Sequence, residues 1–326
     1  MTAAPSIDAH LPGVGRIALG CMNLGDADAH GAIGVRELAA AHAAVDAALD
    51  CGINLFDHAD IYRRGRSEAT FGALLRDQPS LRERIFVQTK CGLDGAVFGG
   101  EGIYRYDLSA QHIVESVHGS LRRLHTERID VLLLHRPDPL LQRDEVAEAC
   151  ARLHASGKVR CFGVSNMRAP LLRWLQQALQ LPLVVNQLEM SLLRHDWLEA
   201  DACFNDAQAR GALDWSDTLH HCMQAAVQLQ AWGPLAQGRL CAAPAAGADA
   251  AAHAAADAVA RVAAELDAPR EAVALAWLMR HPAAIQPIVG SRDPARIRAA
   301  AAATRIELSR EHWYALYTAA RFRRLP

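Results

Sequence analysis

An acid, a phenol, an amine and an imidazole stand at or just beyond the ends of short apolar runs: Asp57, Tyr62, Lys90 and His135. Brought together, such a set can deliver a proton to a carbonyl oxygen. A free phenol, with a pKa near ~10, is too weak an acid for efficient transfer at neutral pH. A neighbouring ammonium favours the phenolate and is expected to lower that value, while a carboxylate holds the ammonium in place. Lys90 follows Ile85-Phe86-Val87-Gln88-Thr89. Its stem is therefore expected to be buried and its charge to need a partner. Singly, each residue has a plainer role: Asp57 as a loop cap, Tyr62 as packing, His135 as a core histidine. Their convergence is what points to chemistry.

Convergence requires strands that end on one face. Eight apolar runs fit: Arg16–Leu19, Ile53–Phe56, Ile85–Thr89, Ile129–Leu134, Val159–Val164, Leu183–Asn186, Val227–Ala231 and Ile285–Val289. Most lack clean alternation, as strands covered on both faces of a parallel sheet do. Helical patterns lie between them. Glu37 to Asp50 stops before Gly52, Ser109 can cap a helix to about Leu124, and Glu145 to Ser156 stops at Gly157. Pro170 and Pro294 open two more, and a last one surrounds His312 to Ala320. Eight strand–helix units fit one (β/α)8 TIM barrel, whose chemistry sits where the strands end. A doubly wound sheet is the competitor, but the G-x-G-x-x-G turn after the first run is missing. The expectation is a single barrel over residues 1–326, with an extension at 1–13 and a C-terminal helix and tail from about 304.

Composition narrows the class. The 326 residues are 51% hydrophobic with a net charge of -2, enough apolar content for a core and no electrostatic footprint for nucleic acid. No apolar run reaches membrane-span length, and MTAAPSIDAH has no secretory pattern. The eight cysteines include no C-x-x-C pair and read as reduced thiols of a cytoplasmic protein.

The segment Ile53-Asn54-Leu55-Phe56-Asp57-His58-Ala59-Asp60-Ile61-Tyr62 resembles the signature of the aldo-keto reductase family around its catalytic acid and tyrosine. Lys90 in Val87-Gln88-Thr89-Lys90 and His135 in Leu134-His135-Arg136-Pro137 look like the other two members of its tetrad. Gly157 to Asn166, Ala231-Trp232-Gly233-Pro234-Leu235 and Ile288 to Ile297 are similar to its cofactor-binding segments. The match is nearest to the bacterial oxidoreductase branch with His135-Arg136-Pro137-Asp138-Pro139 after the fourth strand.

The resemblance implies a barrel that binds NADP(H) and reduces an aldehyde or ketone by hydride transfer, with Tyr62 as general acid. It places Gly20, Cys21 and Met22 beside the nicotinamide, and Ser165, Asn166 and Gln187 on its carboxamide. Trp232 would stack on the ring, where relatives often carry tyrosine. Gly233, Pro234, Leu235, Gln237, Gly238 and Arg239 would cross the pyrophosphate. Gly290, Ser291, Arg292 and Arg296 would take the 2′-phosphate, at a helix start whose N–H groups favour an anion. Arg63 and Arg64 stand where many relatives have glycine, and Gly290 where many have lysine.

Other constellations read as structural. The histidines show no H-E-x-x-H and no zinc spacing, so no metal is expected. Asp138, Asp144 and Glu145 read as loop and helix-start residues, and Cys21 as packing. Substrate contacts would come from the loops after strands four and seven and from the C-terminal tail; Leu240 to Ala252 suggests an open loop. The expected partner is a small carbonyl compound, with no nucleic acid, membrane or obligate protein partner. Two other functions stay open: an NADP(H)-binding regulatory or sensor barrel with slow turnover, and a metal-dependent hydrolase on the same barrel.

Overall fold

The structure, a computed structural model, describes residues 6–26, 31–94, 103–202, 217–242 and 249–326. Its sheet consists of β1 (Ala18–Gly20), β2 (Leu55–Asp57), β3 (Phe86–Cys91), β4 (Ile129–Leu134), β5 (Val159–Ser165), β6 (Leu183–Glu189), β7 (Gln228–Trp232) and β8 (Gln286–Val289). Each strand overlaps one of the eight apolar runs. Neighbours pair in parallel, and β8 pairs back onto β1 with Ala18 opposite Ile288. The sheet is therefore a closed barrel, which removes the doubly wound alternative.

Helices α1 (Val35–Asp50), α2 (Arg66–Asp77), α3 (Ala110–Leu124), α4 (Arg143–Ala155), α5 (Ala169–Gln176) and α6 (Asp196–Ala202) occupy the first connections. They are followed by α7 (Thr218–Gln224), α8 (Ala250–Glu265), α9 (Arg270–Met279), α10 (Pro294–Ala301) and α11 (Arg310–Arg321). The capping chemistry sets several starts. Ser109 Oγ accepts the His112 N–H at 3.3 Å, and Asp293 Oδ1 accepts that of Ala295 at 2.8 Å. Asp249 caps α8 through Ala252 N–H at 2.6 Å. Helix α8 thus begins inside the stretch expected to be an open loop, and of that loop residues 243–248 lie outside the described residues. Helix α2 and a small antiparallel pair, Leu93–Asp94 with Arg105–Tyr106, are additions to the sequence reading. Gly72 in α2 is required by a close approach: a methyl group there would run into the backbone of Arg123 and Leu124 at the end of α3.

Two apolar layers and one polar layer fill the barrel region. Between strands and helices, Phe56, Leu132 and Phe162 pack against residues such as Phe71, Val117 and Leu153. Inside, Leu55, Val131, Leu133, Val184 and Ile288 are closed from below by Ile7 and Leu11, which are fully buried. Part of the expected N-terminal extension is thus the floor of the barrel. Above this plug the interior turns polar, with Gln88, Lys90, Gln187, Gln230 and Gln286 buried beside Asp57. Among the described residues no helix is long and apolar enough to cross a membrane.

The C-terminal helix is locked on by a buried ion cluster. Glu199 of α6 accepts Arg321 Nε at 2.5 Å and Nη2 at 2.9 Å, the Tyr317 hydroxyl at 2.6 Å and Arg323 Nη2 at 3.3 Å. Beside it Trp277 and Trp313 stack with centroids 5.3 Å apart and donate to each other's carbonyls. Removing one partner of a buried pair strands the other charge, and the Arg321 side chain is only 1% exposed. Glu199→Ala is expected to cost about 3–5 kcal/mol. Urea unfolding should show a lower midpoint with the same slope; an unshifted midpoint would mean the cluster holds nothing together.

Candidate active site

The upper ends of β2, β3 and β4 bring four side chains to one mouth. Lys90, wholly buried in β3, donates to Asp57 Oδ2 at 2.7 Å, to the His58 carbonyl at 2.8 Å and to the Tyr62 hydroxyl at 3.1 Å. Its ammonium also lies 4.8 Å from the Tyr62 ring centroid. His135 follows β4, and its ring meets that of Tyr62 edge-on with centroids 6.1 Å apart. Asp57, Tyr62 and Lys90 are therefore directly bonded, and His135 faces the phenol without a bond to it.

Register explains what holds the acid. Asp57 is paired with Gln88, Gln187 with Gln230, and Gln230 with Gln286 across adjacent strands. Their side chains occupy one level of the interior. Asp57 Oδ1 accepts Gln88 Nε2 at 2.6 Å and Gln187 Nε2 at 3.1 Å. Gln230 Oε1 accepts from the same two amides, and its Nε2 donates to Gln88 Oε1 and Gln286 Oε1. Gln286 Nε2 ends the chain on the Gly15 carbonyl at 2.7 Å. Gln88 and Gln230 were not among the expected site residues. The signal for them was an amide inside an otherwise apolar run, which has no reason to be buried unless it is bonded.

Electrostatics correct one expectation. Burial raises the Tyr62 pKa; Lys90 opposes this and Asp57 adds to it, and the outcome is above the ordinary phenol value, not below it. Desolvation of the anion outweighs the ammonium. The phenol stays protonated at neutral pH. Burial by itself would lower Lys90, but Asp57 and Tyr62 more than compensate and its pKa is raised. His135 is held well below its usual value by burial, then by Lys90 and Arg136, so it is neutral. Its Nδ1 is buried without a partner. Cys21 is buried, and its pKa is raised well above the usual value, first by burial and then by Asp57. Its thiol is inert packing.

The turn after Asp57 has an unusual backbone. Arg63 and Arg64 have φ of 52° and 56°, and Gly65 follows at 82°. A left-handed run explains glycine at such positions; arginine occupies them at a cost of roughly 1–2 kcal/mol each.

The remaining expected positions also lie past strand ends. In the turn after Gly20, Cys21 N–H donates to the Asp57 carbonyl at 2.8 Å, and Met22 is exposed. Ser165 Oγ and Asn166 N–H both donate to the Gln187 carbonyl at 2.9 Å. Asn166 Nδ2 donates to Ser165 Oγ at 2.7 Å, while its Oδ1 accepts Trp232 Nε1 at 3.1 Å. After β7, Gly233, Gln237 and Gly238 have φ of 64°, 60° and 85°, bending the loop that holds Pro234, Leu235 and Arg239. After β8, Gly290 faces open space, Ser291 Oγ accepts the Asp293 N–H, and Arg292 approaches Asp26 at 3.4 Å. Arg296 is exposed in the first turn of α10. These features suit a flat ring beside Trp232 and a phosphate at α10.

A second polar group lies outside the barrel mouth. Donor atoms of Asp94, Asp107 and His112 fall within 4.8 Å of one another in a cavity beside α3. Arg105 pairs with Asp94 at 2.5 Å and supplies the counter-charge there.

Comparison with known proteins places the chain in one family. The chain is 38% identical over 280 residues to the 6-dehydroglucose reductase of Agrobacterium fabrum, covering 85% of this chain and 86% of that one. It is 37% identical over 273 residues to the oxidoreductase YdhF of Escherichia coli, covering 83% and 85%. Among solved structures, the glycerol dehydrogenase AKR11B4 of Gluconobacter oxydans superimposes with a TM-score of 0.78 at 25% identity, over 94% and 93% of the chains. An aldo-keto reductase of Klebsiella pneumoniae in complex with NADPH gives 0.72 at 25% identity, over 96% and 92%. Residues 16–320 match the model of the Aldo/keto reductase family, and the chain belongs to that family.

Proposed function

We propose that this chain, acting as one barrel over its full length, reduces an aldehyde or ketone to the alcohol with NADPH, and that Tyr62 is the general acid. The observation that carries this is Lys90, whose ammonium bonds at once to Asp57 and to the Tyr62 hydroxyl. When bound, the dihydronicotinamide supplies a hydride to the carbonyl carbon. The chain's own residues manage the oxygen. The phenol of Tyr62, kept protonated by burial, passes its proton to that oxygen. The phenolate left behind is stabilised by the Lys90 ammonium at 3.1 Å, which is where charge develops. Neutral His135 offers a ring N–H to the same oxygen and orients it. Asp57, held by Gln88 and Gln187, keeps Lys90 aimed at the phenol. For the cofactor, Trp232 offers a plane and Gln187 Oε1 an acceptor. Arg296 and Ser291, at the start of α10, would take the 2′-phosphate. The relatives' names point to small polar carbonyl compounds as the first substrates to try.

Three outcomes are expected. Tyr62→Phe keeps the ring without the proton and should lose about 10²–10⁴-fold in reduction, with NADPH affinity unchanged in a fluorescence titration. A wild-type rate in that variant would remove Tyr62 from the chemistry. If NADPH binds but no aldehyde or ketone oxidises it, the sensor reading takes its place.

The pH profile follows from the directions of the shifts. Reduction needs the protonated phenol, whose pKa is raised by burial. Between pH 6 and 9, roughly, kcat/KM should be flat and fall only in more alkaline buffer. His135 is already neutral and adds no limb near its usual value. A loss of activity on passing upward through about pH 6.5 would assign the acid to an imidazolium instead.

A charge-assisted bond contributes about 1.5–3 kcal/mol. Arg296→Ala should therefore weaken NADPH roughly ten- to hundredfold and leave NADH nearly unchanged. Equal loss for both, measured as dissociation constants, would make the arginine structural.

A further inference from the structure

We propose that Arg136 makes the barrel mouth select carbonyl compounds that carry a carboxylate. This rests on the reductase reading above and specifies its substrate class. Arg136 directly follows His135, so its side chain leaves the backbone at the rim of the site. Its guanidinium carbon lies 5.9 Å from the centroid of the Trp232 ring. That ring is itself fixed, because its N–H donates to Asn166 Oδ1 at 3.1 Å. A guanidinium stacked on an indole keeps its N–H edge free for a planar acceptor.

No carboxylate among the described residues pairs with this half-buried charge. The acids around it are committed elsewhere. Asp57 is taken by Lys90, Gln88 and Gln187. Asp138, two residues on, accepts the backbone N–H groups of Leu108 at 2.9 Å and Leu140 at 2.8 Å. Glu189, in register with Trp232, approaches Arg194 at 3.4 Å. Across the mouth, Arg63 adds a second guanidinium whose partner is the neutral amide of Asn23, at 2.7 Å. The depressed pKa of His135, to which Arg136 contributes after burial and Lys90, agrees that the charge is felt at the reacting centre.

Among the described residues, the mouth thus carries positive charge with no internal counter-ion beside a site for a neutral carbonyl. A carboxylate on the substrate supplies that counter-ion, accepting two parallel bonds from the fork. With the carbonyl oxygen between Tyr62 and His135, the acid group sits at the other end of a short compound, over the Trp232 side.

The test compares acids with their uncharged esters: succinic semialdehyde and 4-carboxybenzaldehyde against the methyl ester of each, with NADPH oxidation as the readout at low ionic strength. The wild type is expected to favour the acid by about ten- to hundredfold in kcat/KM, the weight of one charge-assisted pair. Arg136→Met should bring the acid-to-ester ratio near one. Arg136→Lys, which keeps the charge but loses the fork, should retain part of it. Circular dichroism and a fluorescence titration with NADPH check fold and cofactor binding in each variant. A wild-type ratio at or below one overturns the inference while the reductase reading stands. So does a ratio that survives in Arg136→Met, or a loss of NADPH affinity as large as the loss of acid preference, which would put Arg136 on the cofactor. Turnover of none of the four compounds, nor of any other carbonyl, overturns the reductase reading and this inference together.

Discussion

A single ammonium enclosed in a parallel barrel is the constraint around which the interior is arranged. Lys90 is completely buried, and an uncompensated charge there would cost several kcal/mol. Asp57 neutralises it at 2.7 Å, but that brings a second charge inside. The second charge in turn needs hydrogen bonds on its other oxygen, which Gln88 and Gln187 supply. Each amide then needs partners of its own, which draws in Gln230, Gln286 and finally a backbone carbonyl near the floor. The polar layer is the propagated consequence of one lysine. It leaves the apolar plug with Ile7 and Leu11 to close the lower half of the barrel.

The same charge and burial sort the neighbouring groups by protonation. His58, buried against Phe71, is pushed down to about 3 by burial and then by Lys90. His135 is depressed by burial, Lys90 and Arg136, and burial raises Cys21 and Cys91 well above the thiol range. These two imidazoles are thus neutral and these two thiols protonated at physiological pH. Among the four tetrad side chains, the Tyr62 phenol is the acidic proton bonded to a group that can stabilise its loss. Glu68, bonded to Thr89 at 2.6 Å and to Arg123 at 2.8 Å, ties β3 to α2 and α3 behind this arrangement.

Much of the architecture was legible because parallel strands covered on both faces leave a strong local mark. All eight runs became strands, Ser109 capped the helix it was expected to cap, and Pro294 opened α10. The three polar residues ending the early runs, Asp57, Lys90 and His135, were legible for the same reason: in a barrel, a strand end is a position on one face. What was not legible depends on comparing magnitudes or on distant partners. The direction of the Tyr62 shift follows from burial against one ammonium, and residue types alone do not weigh those two. The cluster of Glu199 with Arg321 joins residues far apart in the chain, and no local pattern marks it. The left-handed run at Arg63 and Arg64 was visible as a departure from glycine, yet its backbone meaning needed φ values. The amides Gln88 and Gln230 sat in plain view inside apolar runs, and their reason emerged only with strand register.

The amide chain has a direction, and that makes one familiar probe misleading. Oδ1 of Asp57 receives two amide N–H groups and Oδ2 receives an ammonium, so both oxygens face donors. Asparagine is the usual isosteric replacement for aspartate, but it has one oxygen and one NH2. With its NH2 toward Lys90, donor meets cationic donor. Turned over, the NH2 meets those of Gln88 and Gln187. Flipping those glutamines to suit would present oxygen to oxygen further along, and the last link would set an amide oxygen against the Gly15 carbonyl. No orientation is free of a mismatch, and one buried unpaired group costs about 1–3 kcal/mol. The Asp57→Asn protein would thus carry a packing fault running from the mouth toward the floor, and its slowed turnover would report frustration in the lattice of amides as much as the missing charge.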